Sequence, residues 1–145
     1  MELSEYVPPS WARAAELANG RSAMLATVGY VFPYKIGAAF ESTDVTTSDP
    51  IKAILEADPQ WWAQFVILCG TIEGYKYAQG LNGKSSTGGG TPVFDYMKGY
   101  PDDAEGREEI ELKELKNARL AMLGIASFIS AHYIPGSVPL LPDNF

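Results

Sequence analysis

The sequence predicts an all-α membrane protein with three transmembrane helices, the first and third crossing as a pseudo-twofold pair and the middle one separate. Three observations lead there: charge-free stretches alternate with charged segments, the cations fall unevenly between the two sides, and a ten-residue motif occurs twice. With 145 residues the chain makes one domain, residues 1–145. Aromatic content of 12%, charged content of 20% and a mean hydropathy of −0.07 are ordinary averages that conceal a segregation. Charges collect in Glu41–Asp58 and Lys98–Lys116, whereas Ser22–Tyr34, Trp61–Ile72 and Leu120–Ile134 hold none apart from His132.

The first helix begins after Pro8-Pro9, with Ser10 as its expected N-cap, and runs to about Phe32–Tyr34. The segment Glu41–Asp58 reads as a loop with turn signals at Ser48-Asp49-Pro50 and Asp58-Pro59, and room for a short helix over Ile51–Glu56. The second long helix runs from near Pro59, suited to a first-turn position, to about Gly80. Asn82-Gly83, Ser85–Gly90, Pro92 and Tyr100-Pro101 make the next loop. The third long helix spans about Ala104–Tyr133 and stops at Pro135-Gly136.

Helices of about 20–30 residues are about 30–45 Å long, enough to cross a bilayer. No stretch of eighteen residues is uninterruptedly apolar, however, and periodicity alone fits a soluble three-helix bundle equally well. If all three helices span, Arg13, Lys76, Lys84, Lys98, Arg107, Lys113 and Lys116 fall on one side and only Lys35 and Lys52 on the other. Trp11, Trp61 and Trp62 lie near helix starts, where indole suits a membrane interface, although core packing is as ordinary a role for each. Residues before the first helix read as neither signal nor transit peptide, as expected of a mature or trimmed chain.

A net charge of −7 without any Lys/Arg cluster argues against nucleic-acid binding. One cysteine, Cys69, and one histidine, His132, leave no intrachain disulfide and nearly exclude zinc or Cys/His catalysis. Cys69 reads as a small buried hydrophobe. Gly88-Gly89-Gly90 follows no strand and lacks the Lys-Ser/Thr of a phosphate loop, so it reads as a flexible loop. The acidic run Asp102–Glu114 reads as a solvated helix start whose carboxylates suit the dipole there. No catalytic set emerges, and an enzyme is not expected.

The repeat aligns Glu16-Leu-Ala-Asn19-Gly20-Arg21-Ser-Ala23-Met24-Leu25 with Glu114-Leu-Lys-Asn117-Ala118-Arg119-Leu-Ala121-Met122-Leu123, identical at seven of ten positions. Such duplication points to two copies of one structural unit packed together. At about 100° per residue, Glu and Asn three apart share a helix face, while the Arg five beyond the Glu points away from it. Two such helices crossing about a pseudo-twofold axis solve the mismatch reciprocally, Glu16 meeting Arg119 and Glu114 meeting Arg21. Ala23, Gly29, Ala121 and Gly124 are small enough to allow close approach. Each neutralised carboxylate keeps an oxygen for an electrophile. Mg²⁺ is hard enough to take it, and a magnesium already held by four ring nitrogens, as in chlorophyll, needs only one axial group. An interhelical salt bridge with no ligand is the plain alternative.

Both copies resemble the first and third membrane helices of the light-harvesting chlorophyll-binding superfamily, whose pattern is Glu-x-x-(Asn or His)-Gly-Arg-x-Ala-Met. Gly70-Thr-Ile-Glu73-Gly74-Tyr75-Lys76 is similar to its middle helix, and His132-Tyr-Ile-Pro-Gly-Ser-Val-Pro139 to chlorophyll a/c antennae of secondary-plastid algae, the fucoxanthin and peridinin types. The resemblance implies axial magnesium ligation by Glu16 and Glu114, each bridged to the opposite Arg119 or Arg21, and by Asn117 and Glu73. Asn19 stands where many relatives have His, with a capping or interhelical hydrogen bond as its alternative. Gln64 lies nine residues before Glu73, where the family's glutamine lies eight before, at the place of Phe65 here. The distal glutamine falls on Ala131, and His132 beside it is a ligand candidate or an interfacial histidine. Ala118 replaces the usual Gly, and the Asp-Pro-Leu-Gly loops of relatives are missing.

The implied function is a light-harvesting antenna in the plastid thylakoid membrane that passes excitation to a photosystem, photosystem I foremost. Implied cofactors are chlorophyll a, chlorophyll c and carotenoids of peridinin, fucoxanthin or diadinoxanthin type. Implied partners are the photosystem core, neighbouring antenna subunits and thylakoid lipids. The alternatives are a photoprotective relative that dissipates excitation, a pigment-free membrane assembly protein, or a soluble three-helix interaction module.

Overall fold

The computed structural model describes residues 8–36, 47, 49–96, 98–139 and 141. Among these residues there are four helices where three long ones were expected: α1 (Pro9–Ile36), α2 (Pro50–Glu56), α3 (Pro59–Leu81) and α4 (Ala104–Tyr133). The additional one is the short helix for which the loop had room. Asp49 caps it through Ile51 N at 3.0 Å and Lys52 N at 3.4 Å. The described residues form no β-strand, only an isolated bridge between Ser85 and Pro92. The loop reading over residues 41–46 and at Ser48 lies outside the described residues.

Prolines set the helix starts. Ser10 is not the cap of α1, because Pro9, with φ already helical and no N–H to satisfy, takes the first position and leaves Ser10 inside the helix. The Pro8 carbonyl accepts from Trp11 N at 3.0 Å and Ala12 N at 3.1 Å. Asp58 likewise precedes Pro59 and accepts from Gln60 N at 3.3 Å. The start of α4 is closed by Asp103, whose carboxylate accepts from Gly106 N at 2.7 Å. A Cβ at position 106 would press against that carboxylate, so glycine permits the tight cap. Asp103→Ala is therefore expected to cost about 1 kcal/mol, visible as faster amide exchange at Gly106. At the other end Ile134 N donates to Ser130 O at 2.9 Å, and Gly136 turns the chain at φ +78°.

The chain divides into two compact units, Met1–Tyr30 with Glu111–Phe145, and Val31–Ile110. In the first, α1 and α4 run side by side in the same direction: contacts advance along both, from Gly20–Ala118 through Thr27–Ala121 to Tyr30–Phe128. Its buried side chains are Leu17, Ala23, Tyr30, Leu115, Ala118 and Ala131. Leu17 and Leu115 occupy equivalent places in the repeat, as do Gly20 and Ala118, and at the same offset Tyr30 stacks on Phe128 with centroids 5.4 Å apart. Equivalent residues meeting across a helix pair are the mark of a twofold relation. Gly29 and Gly124, expected at the close approach, face open space. The approach is at Gly20, where an added Cβ would fall on the Ala118 methyl.

In the second unit α3 buries no residue, and Cys69, read as a core hydrophobe, is exposed. Trp61 stacks on Phe65 at 5.4 Å. The Gly88–Gly90 loop is folded on itself. Ser85 N donates to Thr91 O at 2.8 Å, Ser85 Oγ donates to Gly88 O at 2.8 Å, and the positive φ of Gly88 and Gly89 allows the turn. Val93 is buried just beyond it, and Phe94 packs on Tyr75 at 5.4 Å. Arg107 holds the end of this loop, donating to Pro101 O at 2.7 Å with its guanidinium over the Tyr100 ring.

No helix among the described residues is long and apolar enough to cross a membrane by hydropathy. In α1 and α4 the repeat contributes Glu, Asn and Arg, and acidic residues Glu105–Glu114 further lower the mean of α4; in α3 the polar residues are Gln60, Gln64, Glu73, Lys76 and Gln79.

Candidate functional site

The α1–α4 pair brings four charged side chains of the repeat together. Arg119 Nε donates to Glu16 Oε1 at 2.6 Å, and Arg21 Nε donates to Glu114 Oε1 at 2.7 Å. The exchange is reciprocal, each helix supplying the guanidinium for the other's carboxylate. It follows from local geometry: five residues of helix turn each Arg away from its own Glu and onto the neighbour. Two crossed bridges also fix the register of the helices, since a one-residue slide would break both.

The carboxylates are half-buried, and neither is saturated. Among the described residues Glu114 Oε2 makes no hydrogen bond or ion pair, while Glu16 Oε2 lies 3.9 Å from Arg13 Nη1. The two equivalents thus differ: Arg13 stands three residues before Glu16, whereas Glu111 stands three before Glu114.

Asn19 and Asn117 lie one turn beyond the two glutamates and are exposed on α1 and α4. Gln64 and Glu73 are on α3, away in sequence and in the other compact unit, both exposed. Glu73 pairs with Lys76 at 2.7 Å within its own helix. His132 sits in the last turn of α4, half-buried, its ring edge-on to Tyr133 at 5.3 Å. The described residues hold no cluster of three or more His, Cys, Asp or Glu able to cage a bare metal ion. Any metal taken by a single carboxylate here must bring most of its own ligands, as a macrocycle does.

Sequence reasoning passed over two contacts that shape the pair. Thr27 Oγ1 donates to Ala23 O at 2.8 Å within α1 and reaches Ala121 O of α4 at 3.5 Å. The Tyr30–Phe128 stack lies five residues beyond the aligned motif; extending the repeat at its own offset would have matched these aromatics.

Exposed apolar side chains flank the ion pairs: Leu25 and Val28 on α1, Leu120 and Leu123 on α4. On α3, Phe65, Val66, Ile67 and Leu68 form a continuous exposed run. Hydroxyls of the long helices turn inward on their own backbone: Ser22 to Ala18 O, Thr71 to Ile67 O and Ser127 to Leu123 O, at 2.8–3.1 Å.

Comparison with known proteins places this arrangement. The model of the family described as Chlorophyll A-B binding protein matches residues 3–133. The chain is similar to "Light-harvesting complex stress-related protein 1, chloroplastic" of Chlamydomonas reinhardtii, 30% identical over 134 residues covering 84% of this chain and 53% of that protein. It is 29% identical over 163 residues to "Photosystem I chlorophyll a/b-binding protein 3-1, chloroplastic" of Arabidopsis thaliana, covering 92% of this chain and 59% of the relative. It is 28% identical over 137 residues to "Fucoxanthin-chlorophyll a-c binding protein, chloroplastic" of Isochrysis galbana, covering 86% and 64%. The chain spans about half the length of the stress-related relative.

Proposed function

Because this chain belongs to the chlorophyll a-b binding protein family, whose members are pigment-binding antenna proteins and not enzymes, we propose that it is a light-harvesting subunit of the plastid thylakoid membrane. Its 145 residues act as one pigment-holding domain, crossing the bilayer with α1, α3 and α4. The reciprocal bridges at Glu16 and Glu114 carry this reading. Each carboxylate is neutralised by a guanidinium, so it can enter an apolar phase, yet it keeps an oxygen for an incoming metal.

The donor set fits a chlorophyll magnesium. Oxygen and amide groups are what a hard ion prefers, and Glu114 Oε2 is uncommitted among the described residues. Glu16, Glu114, Asn117 and Glu73 are the proposed axial ligands, with Asn19, Gln64 and His132 as further positions. When bound, the tetrapyrroles absorb light and pass excitation among themselves. The chain's part is to hold them: carboxylates fix each ring's centre, and the exposed leucines beside them offer apolar cover. The spanning reading is supported by the continuous apolar run of α3 and by hydroxyls satisfied inside their own helices. It is supported too by the common direction of α1 and α4, which obliges the chain to come back between the end of one and the start of the other.

Chlorophyll a with chlorophyll c, and carotenoids of fucoxanthin, peridinin or diadinoxanthin type, are the proposed pigments; the likeness to a protein named for fucoxanthin and chlorophyll a-c supports the chlorophyll pair and the first of these carotenoids. Photosystem I is the proposed acceptor, on the likeness to a photosystem I protein, with neighbouring antenna subunits and thylakoid lipids as the other partners. A dissipating role is the second reading, favoured by the stress-related relatives; fluorescence lifetime measured across pH separates the two. The test of pigment binding is an absorption and fluorescence spectrum of protein purified from native membranes. Several chlorophylls and carotenoids with red emission are expected, and Glu114→Leu is expected to lose chlorophyll. Colourless, well-folded protein would refute the proposal.

A further inference from the structure

The two ion pairs hold α1 to α4, but they cannot tell one helix from the other. Any two helices bearing Glu, then a cationic Arg five residues on, satisfy each other in the same crossed manner. A pair of α4 helices from two copies of this chain would match Glu114 with Arg119 twice, in the same register. Two copies of α1 would match Glu16 with Arg21 twice. In a membrane crowded with copies, these alternatives compete with the pairing inside one chain.

At the crossing itself, apart from the flanking charges (Arg13 on α1, the acidic start of α4), one methyl group separates them. At the crossing, equivalent residues of the repeat lie face to face, Gly20 against Ala118, and Ala118 is fully buried there. The space takes one methyl and not two, since a Cβ on position 20 would land on the Ala118 Cβ and lie 3.2 Å from its Cα. Exchanging partners between two chains turns two Gly–Ala contacts into one Gly–Gly and one Ala–Ala contact. The first leaves a gap, and the second is the clash just described. The helices cannot slide to relieve it without breaking both bridges.

We propose that the Gly20–Ala118 contact is a pairing discriminator: it makes the unlike α1–α4 pair the preferred one and rejects a second copy's α4 as a partner for α4. Specificity here comes from a repulsive element set against an attraction that is indifferent to partner. The departure of Ala118 from the glycine of the other repeat is then the feature that matters, because two glycines would remove the distinction.

The test uses the full chain with Cys69→Ser and a single reporter, Phe128→Cys. Equivalent residues 30 and 128 meet in the native pair, so residues 128 of two chains would meet in a like pair of α4 helices. Refolded in lipid vesicles and oxidised, this background is expected to give little 128–128 disulfide dimer. Ala118→Gly makes all pairings equal in bulk, and Gly20→Ala makes all equally crowded, so each is expected to raise the dimer on the order of tenfold. The double variant Gly20→Ala/Ala118→Gly restores one methyl per unlike pair and is expected to return the dimer to the background. General loosening of the fold would leave the double variant at least as cross-linked as either single one. That outcome, or no rise with either single change, overturns the proposal. Pigment is not read in this assay, so failure to bind chlorophyll leaves its result unaffected.

Discussion

Arg119→Leu is expected to abolish recovery of pigmented protein from refolding with chlorophyll and carotenoid, whereas Arg107→Leu is expected to leave most of it. Both changes remove a cation from α4, but what each leaves behind differs. Arg119 gives its Nε to Glu16 at 2.6 Å; without it the carboxylate is stranded at the helix contact, and Arg13 at 3.9 Å is too distant to replace that hydrogen bond. Arg107 is tied to a backbone carbonyl and the Tyr100 ring, so its loss frees loop groups that water can reach. The measurement is bound chlorophyll per chain in the two variants. Exchanging the charges, Glu16→Arg with Arg119→Glu, is expected to restore the helix pair but not the pigment proposed at position 16, because the proposed ligand oxygen has moved to the other helix. Equal pigment in Arg119→Leu and Arg107→Leu would show that reciprocal bridging does not govern assembly.

The second large effect is expected from Gly20→Ala. The added methyl meets the fully buried Ala118 at the tightest point of the α1–α4 contact, and overpacking of this kind costs about 1–3 kcal/mol. Thermal or denaturant unfolding should show the loss, and Ala118→Gly on the same chain should recover most of it, because one methyl then again fills the space. Gly29→Ala and Gly124→Ala, where the added carbon meets nothing, should be neutral or mildly stabilising through helix propensity. A chain indifferent to Gly20→Ala would place the crossing elsewhere.

Much of this was legible from residues alone, where the physics is local. Pro9, Pro59 and the Pro135-Gly136 stop mark helix ends because proline and glycine act through backbone geometry that no tertiary context changes. The duplicated Glu and Arg could be assigned to opposite partners because five residues of helix leave them on different faces. Which small residue sits at the crossing was not legible: Gly20, Ala23, Gly29, Ala121 and Gly124 all permit approach, and only the register set by the bridges selects Gly20. Cys69 was misread because an apolar run looks the same whether its cover is protein or something else, and α3 buries none of its side chains in this chain. Hydropathy reads α1 and α4 without regard to how their charges pair. A scale applied residue by residue counts Glu16 and Arg119 as two charges, while the folded pair presents them as one neutral unit.

The shared direction of α1 and α4 has a bearing on sidedness. Pro9 opens one helix at the same end of the pair at which α4 begins, and Tyr133 closes α4 at the end toward which α1 also points. In a bilayer, what is joined ahead of Pro9 and what is joined after Tyr133 would face different aqueous compartments.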